Sequence, residues 1–315
     1  MTTATIDLAD KLAPYPSLVA IVGAVIAVWP EHEKYCRTRF ANDTPDFLTR
    51  SEDLARLALL GMGDDLPRFA ADYRWTSERF VEEEFFFLRE GRYRLSTFAE
   101  AQRKVYDNPD FMPRYVRCIL ISQLIWDPHA RAIDLFRTRF LPGIAAGTNY
   151  LEVGPGHGFF LYFASQQTNV ARLEAWDVSA SSIAETQRAL ATLGVTREIA
   201  IVHQDVLEAP ARSGEFDAAV ISEVIEHLER PDLALRSLYA ALKPGGRIFI
   251  NVPINSPAPD HIYLWESPEE MTAFVEAQGF VIDEAHFLPQ TGCSLERALK
   301  LKVNISCVYI AHKPA

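Results

Sequence analysis

The stretch "YLEVGPGHGFF" (150–160) decides the fold, because three glycines within five positions follow a short apolar run and an acid. A glycine-rich turn between a strand and a helix lets a ligand lie directly across the backbone. The dinucleotide fingerprint G-x-G-x-x-G would need glycine at Phe159, but the third glycine is Gly158. Glu152 at the strand's end would also repel a pyrophosphate. The pattern therefore favours a ligand with a cationic group and no phosphate.

After this turn the chain alternates between short apolar runs and amphipathic segments, which is typical of crossover units around a parallel sheet. We predict an α/β fold with a mostly parallel sheet sandwiched by helices. Segments such as 179–194, 231–246 and 267–279 have the spacing of helices. The predicted strands cover residues 149–153, 172–177, 198–203, 216–222, 246–252, about 280–287 and about 303–312.

The first half of the chain has a helical pattern instead. The spacing predicts a helix over 51–63 with Ser51 as its N-cap, and a short hairpin around 83–96 is the one strand candidate. The stretch "LPGIAAGTN" (141–149) then interrupts the helical pattern with proline and two glycines. We expect a helical lid or substrate domain over 1–145 and a catalytic domain over 146–315. Further helices are predicted over 96–106, 113–126 and 128–141.

Composition excludes several classes of function. The 315 residues carry a formal charge of -11 without a dense Lys/Arg run, so nucleic acid is not an expected partner. The four cysteines form no C-x-x-C pair and fit a reducing cytoplasm. The apolar run 17–29 is too short to span a membrane, and the leader 1–11 is acidic, unlike a signal peptide. We therefore expect a cytoplasmic protein that binds no membrane.

The glycine turn resembles the first motif of the class I S-adenosylmethionine-dependent methyltransferases, and four further motifs follow in that family's order. "RLEAWD" ends in an acid, "HQDVLE" resembles the adenine-contacting turn, "FDAAVISEVIEHL" the fourth strand with its loop, and "LKPGGRIFI" the turn into the fifth strand. The resemblance covers about residues 149–312. It implies a seven-stranded Rossmann-like sheet that binds S-adenosylmethionine.

The resemblance also assigns roles to individual residues. Asp177 is expected to accept both ribose hydroxyls, Asp205 to face the exocyclic amine of adenine, and Val206 to offer its backbone. The full cofactor-binding set that it implies is Glu152, Gly154, Gly156, Gly158, Asp177, Val178, Asp205, Val206 and Glu223.

A possible metal site follows the fourth strand. In a helix beginning there, Glu223, Glu226 and His227 would share one face, and His261 follows the fifth strand at the same edge of the sheet. Two carboxylates and two imidazoles suit a divalent metal. The E-x-x-E-H and D-H-x-x-x-W elements resemble those of metal-dependent small-RNA 2'-O-methyltransferases, and ubiquinone-biosynthesis O-methyltransferases share the first. Direct acid–base use of Glu226, His227 or His261, and a purely structural role, stay open.

We expect a methyltransferase that acts on a small organic acceptor in specialised metabolism. O-methylation is favoured over C- or N-methylation, and the oligomeric state stays open, with a homodimer as one alternative. The other hypotheses are an NAD-dependent oxidoreductase and a non-catalytic S-adenosylmethionine-binding protein. The segment 85–95, with Phe85, Phe86 and Phe87, is a candidate for the pocket wall. His129 is expected to be a surface or capping residue.

Overall fold

The N-terminal region of the computed structural model, which describes residues 7–208 and 213–315, consists of helices. Residues 1–6 of the acidic leader lie outside the described residues. Two π-helical stretches, Gln102–Tyr106 and Phe136–Phe140, extend helices of this region. Its α-helices are α1 Leu8–Leu12, α2 Pro16–Val28, α3 Glu33–Phe40, α4 Pro45–Met62, α5 Leu66–Glu90, α6 Phe98–Ala101, α7 Met112–Ile125 and α8 Asp127–Leu135.

Two local predictions for this region are wrong. The hairpin around 83–96 does not form, because α5 continues to Glu90 and ends at Gly91 in the left-handed conformation (φ 67°). The helix predicted over 51–63 begins six residues earlier, at Pro45. Its N-cap is Thr44, whose hydroxyl accepts a hydrogen bond from the Phe47 amide at 3.3 Å. Ser51 is a buried residue inside that helix rather than a cap.

The apolar run 17–29 forms the helix α2, which buries one face while the other is exposed, as at Val19. Leu18, Ile21, Val22 and Val25 recur at helical spacing and all are buried. Within the described residues, no helix combines the length and the apolar character needed to cross a membrane.

All seven predicted strands are present, and their ends differ from the predicted bounds by up to four residues. They form one sheet in the order β3-β2-β1-β4-β5-β7-β6, parallel except for the β5–β7 and β7–β6 pairs. The α/β class with a mostly parallel seven-stranded sheet is thus confirmed. The strands are β1 Thr148–Val153, β2 Val170–Asp177, β3 Ala200–His203, β4 Phe216–Ser222, β5 Leu242–Ile254, β6 Val281–Pro289 and β7 Ile305–His312.

Helices cover both faces of the sheet, because neighbouring strand residues point in opposite directions. Val220 packs into a core shared with the N-terminal helices, whereas the adjacent Ile221 packs into the core on the opposite face. The helices between the strands are α9 Phe159–Ser165, α10 Ala180–Thr192, α11 Pro231–Ala241, α12 Pro268–Glu276 and α13 Leu295–Leu301. Helical structure ends at Gly143 and β1 begins at Thr148; the domain division at residue 145 stays a proposal.

The strand order reverses beside β1, whose neighbours are β2 and β4. Ligands of open parallel sheets bind at such a switch point, beyond the carboxyl ends of the strands. The turns that follow β1 to β5 meet at this edge and carry the predicted site residues.

Candidate active site

The turn after β1 favours glycine at its key positions. Gly154, Gly156 and Gly158 have φ angles of 66°, 48° and 76°, which L side chains rarely adopt. A Cβ at Gly154 would also lie 2.6 Å from Cγ2 of Val224, and one at Gly158 would lie 3.2 Å from Cδ2 of Leu190. Conformation and packing together keep this backbone bare where it borders the central cavity.

Glu152 stands at the end of β1 and is buried, with its carboxyl group at the wall of the cavity. Its Oε2 accepts a hydrogen bond from the Tyr150 hydroxyl at 3.3 Å, and burial raises the pKa of Glu152 well above its usual value. A cationic ligand beside this carboxyl group would favour its ionised form.

Asp177 ends β2 and serves two purposes in the local structure. Its Oδ1 accepts from the Ser179 amide at 2.8 Å and its Oδ2 from the Ser182 hydroxyl at 2.7 Å, which fixes the start of α10. Each carboxylate oxygen keeps a further lone pair, so the side chain can still accept hydrogen bonds from a ligand in the cavity that it lines. The neighbouring Val178 lines the same cavity with an exposed side chain.

Asp205 and Val206 follow β3 and border the same cavity. The Leu207 amide donates to Oδ1 of Asp205 at 2.8 Å, which holds the turn and leaves the second oxygen available. Val206 is buried. The structure thus gathers the predicted cofactor-binding positions of β1, β2 and β3 around one space, and their individual roles remain predictions.

The loop after β4 differs from the predicted helix. Glu223 has a φ of 54°, its amide donates to the Asn251 carbonyl, and only Ile225–His227 form a turn, of the 3₁₀ type. The expectation that Glu223, Glu226 and His227 share a helix face is therefore wrong. Glu223 instead accepts a hydrogen bond from Nδ2 of Asn251 at 3.0 Å, and burial raises the pKa of its carboxyl group to about 8.

Three of the four predicted metal ligands come together. Among the described residues, Glu226, His227 and His261 place one ligand atom each within 4.8 Å of one another. Glu223 stands apart from this group. We call Glu226, His227 and His261 the triad. The triad unites the loops after β4 and β5, since the amides of Ile262 and Tyr263 both donate to the Glu226 carbonyl at 3.0 Å.

The hydrogen bonds of the two histidines fix which ring nitrogen is free. Nδ1 of His261 lies 2.6 Å from the Ser256 carbonyl oxygen, and Nδ1 of His227 lies 3.2 Å from the Asp260 carbonyl oxygen. A carbonyl only accepts, so both Nδ1 atoms carry a proton, and the Nε2 atom of each ring is the one that presents a lone pair when the ring is neutral. Burial lowers the pKa of His261 to about 3, which keeps its ring neutral, the form that binds metal.

Glu226 supplies the test of whether a cation fits this site. Its side chain is fully buried, and neither carboxylate oxygen has a hydrogen-bond partner among the described residues. Burial is the main cause that raises its pKa well above the usual value. Such a carboxylate is costly unless it is paired with a proton or a cation. One carboxylate and two free imidazole nitrogens match the known two-histidine, one-carboxylate donor set for a divalent metal.

A second set of groups holds His227 in place. Asp260 is buried, and its carboxylate oxygens accept from the hydroxyls of Tyr106 at 3.3 Å and Tyr115 at 3.4 Å. Oδ2 of Asp260 and the Tyr106 hydroxyl lie 3.5 Å and 3.2 Å from Nδ1 of His227. Partners of this kind orient metal-binding histidines in known proteins. Both tyrosines belong to the helical region, so that region completes the surroundings of the triad.

His129 is not the surface or capping residue that the sequence suggested. Its side chain is 14% exposed and lines the cavity, with Nε2 lying 3.9 Å from Oε2 of Glu223. The helix α8 takes no side-chain cap from it. Burial lowers the pKa of His129 to about 4.

One cavity of about 1150 Å³ is lined by the glycine turn, by Asp177 and Asp205, and by the two histidines of the triad. This volume exceeds the usual range for one small ligand and suits two adjacent ligands. The wall opposite the sheet is aromatic, with Phe80, Tyr106, Tyr115 and Trp126. The predicted contribution of residues 85–95 is wrong, because none of them lines the cavity; Phe85 is 68% exposed and Phe87 is buried elsewhere.

Sequence reasoning missed Tyr106, Tyr115 and Asp260. Only Asp260 had a signal in the sequence, since it directly precedes His261. The tyrosines lie in segments whose helical spacing gives no indication of which sheet edge they approach.

Comparison with known proteins gives a consistent result. The profile of a family described as "Methyltransferase domain" matches residues 126–301. An uncharacterised protein of Synechococcus sp. is 28% identical over 169 residues, which are 51% of this chain and 40% of that protein. A ubiquinone/menaquinone biosynthesis C-methyltransferase of Haemophilus ducreyi is 26% identical over 144 residues, 45% of this chain and 55% of the relative.

Among solved structures, the mitomycin 7-O-methyltransferase MmcR superposes with a TM-score of 0.52 at 15% identity, covering 79% of this chain and 70% of that one. This likeness concerns the fold. The chain spans about half the length of the curated relatives that it matches.

Proposed function

The chain belongs to the methyltransferase domain family, and we propose that it transfers the methyl group of S-adenosylmethionine to a small organic acceptor, with oxygen as the favoured target atom. The observation that carries this proposal is the shared cavity, which is lined both by the bare glycine turn and by the two histidines of the triad. A cytoplasmic setting in specialised metabolism belongs to the same proposal.

The cofactor would occupy the edge beyond β1, β2 and β3. The bare backbone at Gly154 and Gly156 lets the nucleoside approach, Asp177 accepts hydrogen bonds from its ribose hydroxyls, and Asp205 accepts from its adenine amine. A sulfonium beside Glu152 and Glu223, which both line the cavity, would favour the ionised form of these carboxyl groups and be attracted by it.

A divalent metal ion would be held by Glu226, His227 and His261. This assignment is supported by the Glu226 carboxylate oxygens, which have no hydrogen-bond partner among residues 7–208 and 213–315, and by the Nε2 atoms of the two histidines, whose Nδ1 atoms contact carbonyls. When bound, the ion polarises an acceptor oxygen and lowers its pKa. Asp260 and Tyr106 keep the His227 ring in the required tautomer.

Methyl transfer from a sulfonium is an in-line displacement, in which an oxygen–carbon bond forms while the sulfur–carbon bond breaks. The sulfur leaves as a neutral thioether, so the enzyme mainly aligns the acceptor and excludes water. The acceptor hydroxyl must lose its proton. We assign this proton to the carboxylate of Glu223, which lines the cavity and whose pKa burial raises to about 8.

Carbon is the second candidate for the target atom. The name of the Haemophilus ducreyi relative specifies C-methyl transfer, and an activated ring carbon beside a phenolate would use the same surroundings. The triad favours oxygen, because a metal ion bound there would lower the pKa of the acceptor hydroxyl. The deprotonated oxygen is then itself the nucleophile. Nitrogen ranks third.

The test uses the purified full chain. Calorimetry should detect binding of S-adenosylhomocysteine, and a panel of phenols, catechols and enolisable ketones should release S-adenosylhomocysteine from S-adenosylmethionine. Cofactor binding without turnover across the panel would favour a non-catalytic binding protein. Thermal stabilisation by NADH but not by S-adenosylhomocysteine would favour the oxidoreductase hypothesis and contradict ours.

A further inference from the structure

The cavity-facing side of α5 combines polar and aromatic groups. Ser77, Phe80, Val81 and Glu84 recur at the spacing of one helix face, and all four line the cavity. This face is part of the wall opposite the sheet, at the end of the cavity that the acceptor would occupy.

Two polar groups on this face have no hydrogen-bond partner in the part of the chain that the structure describes. Ser77 is 8% exposed, and its hydroxyl oxygen makes no hydrogen bond within the described residues. The Glu84 carboxylate is half-buried and forms neither a hydrogen bond nor an ion pair with residues 7–208 or 213–315. Burial alone raises its pKa. Buried polar groups are normally satisfied, so the Ser77 hydroxyl points to a ligand, and the Glu84 carboxylate on the same helix face is available to that ligand.

The positive groups of the cavity wall are already engaged. Each cationic Arg or Lys among the described lining residues has an acidic partner on the protein. The pairs are Arg117 with Asp72 at 2.5 Å, Arg188 with Glu185 at 3.8 Å, and Lys302 with Glu266 at 2.6 Å. An anionic acceptor would therefore find no free cation on the described wall, whereas a cationic one would find a free carboxylate.

The α5 face lies next to the triad. The Phe80 ring stacks on Tyr115 with centroids 6.2 Å apart and meets the edge of Trp126 at 5.2 Å. Tyr115 in turn donates to Asp260, which holds His227. Glu84 lies one helical turn beyond Phe80, about 6 Å along the helix axis. An aromatic acceptor with a short side chain can span this distance.

From these contacts we infer that the acceptor is an aromatic compound with a protonated amine, which the Glu84 carboxylate binds while Phe80 packs against the ring. Ser77 offers its hydroxyl to a polar substituent of the same molecule. This inference rests on the proposed function and adds the charge class of the substrate to it.

The experiment compares probes that share a ring and differ in charge. Dopamine, hydroxytyrosol and 3,4-dihydroxyphenylacetate carry an amine, an alcohol and a carboxylate on one catechol, and tryptamine, tryptophol and indole-3-acetate do so on an indole. Calorimetry measures their Kd on the full chain saturated with S-adenosylhomocysteine. In at least one frame we expect the amine to bind about tenfold more tightly than the alcohol, and the carboxylate to bind most weakly.

Variants of Glu84 test the anchor itself. Glu84→Gln should weaken amine binding about tenfold and leave alcohol binding within twofold, while Glu84→Lys should reverse the preference in favour of the carboxylate. Glu82→Gln is the matched control, because it removes the same charge from an exposed position of the same helix. It should change none of these constants.

Three results would overturn the inference: equal binding of amine and carboxylate, a preference for the amine that persists in Glu84→Gln, or binding of no probe in either frame. Failure of the proposed function would differ, since S-adenosylhomocysteine itself would then not bind.

Discussion

Replacing Glu226 by Gln should have opposite effects on stability with and without metal. In the metal-free protein the Glu226 carboxylate is fully buried, and neither oxygen is hydrogen-bonded among the described residues. An unsatisfied buried polar group costs about 1–3 kcal/mol, and more when it is charged. The Gln amide keeps the shape of the side chain and carries no charge. It can also donate to Nε2 of His227, which lies 3.6 Å from Oε1 of Glu226 in the native protein.

We therefore expect the metal-free Glu226→Gln protein to be more stable by about 1–3 kcal/mol, a rise in Tm of about 2–6 °C at this chain length. Metal should reverse the order. A cation at 1,000 times its Kd stabilises the native protein by about 4.1 kcal/mol, which exceeds the gain of the metal-free variant. The variant lacks the anionic ligand, so the same concentration should stabilise it far less.

Thermal unfolding checks both expectations. The Tm of each protein is measured in excess chelator and again during titration with Co²⁺, Mn²⁺ and Zn²⁺. Asp260→Asn tests the neighbouring carboxylate, which already has two tyrosine donors and should gain nothing from neutralisation. A variant destabilised by more than 1 kcal/mol in chelator would show that the Glu226 carboxylate has a partner and would refute the reasoning. Equal stabilisation of both proteins by metal would refute the ligand assignment.

Three further outcomes can be measured independently. Asp177→Ala should weaken S-adenosylhomocysteine binding by about 1–3 kcal/mol in calorimetry, whereas Ser182→Ala, which removes only the local bond to Asp177, should not. Tyr106→Phe should weaken metal binding about tenfold in a Co²⁺ absorption titration with little change in Tm, and unchanged affinity would contradict the role of this hydroxyl. Burial lowers the pKa of His32 from 6.5 to about 4, so the unfolded chain binds a proton at a higher pH than the folded protein does. The free energy of unfolding should therefore fall by up to about 3 kcal/mol between pH 6.5 and pH 4. Urea titrations should show a smaller loss for His32→Gln.

The sheet could be predicted from the sequence because each parallel strand is a local apolar run bounded by turn residues. The seven strands differ from the predictions mainly at their ends, where pairing with neighbours decides the last residues. The hairpin error around 83–96 has the opposite origin. The aromatic run there suits a strand locally, but Phe87 continues the buried face of α5 on which Tyr73 and Ala70 lie, and this burial decides the conformation.

The triad was accessible to sequence reasoning for a topological reason. The carboxyl ends of β4 and β5 meet at one edge, so Glu226, His227 and His261 approach although the last follows the others by more than thirty positions. The conformation of Glu223 was not accessible, because its positive φ depends on the contact of its amide with Asn251. The position of His129 depends on how α8 packs against the sheet, which no local pattern encodes.

The cavity has one end built from the turns of the sheet and one end built from the helical region. This division separates cofactor affinity from acceptor specificity. The cofactor end consists of turns that follow β1, β2 and β3, which the sheet itself holds rigid. The acceptor end includes Ser77, Phe80 and Glu84 on α5, and Phe80 is connected to the triad through Tyr115 and Asp260. Changes on α5 should therefore alter which acceptor binds without altering cofactor affinity. Tyr106 and Tyr115 are the exception, because their hydroxyls reach from the helices to Asp260. Asp260 therefore couples acceptor recognition to the geometry of the triad.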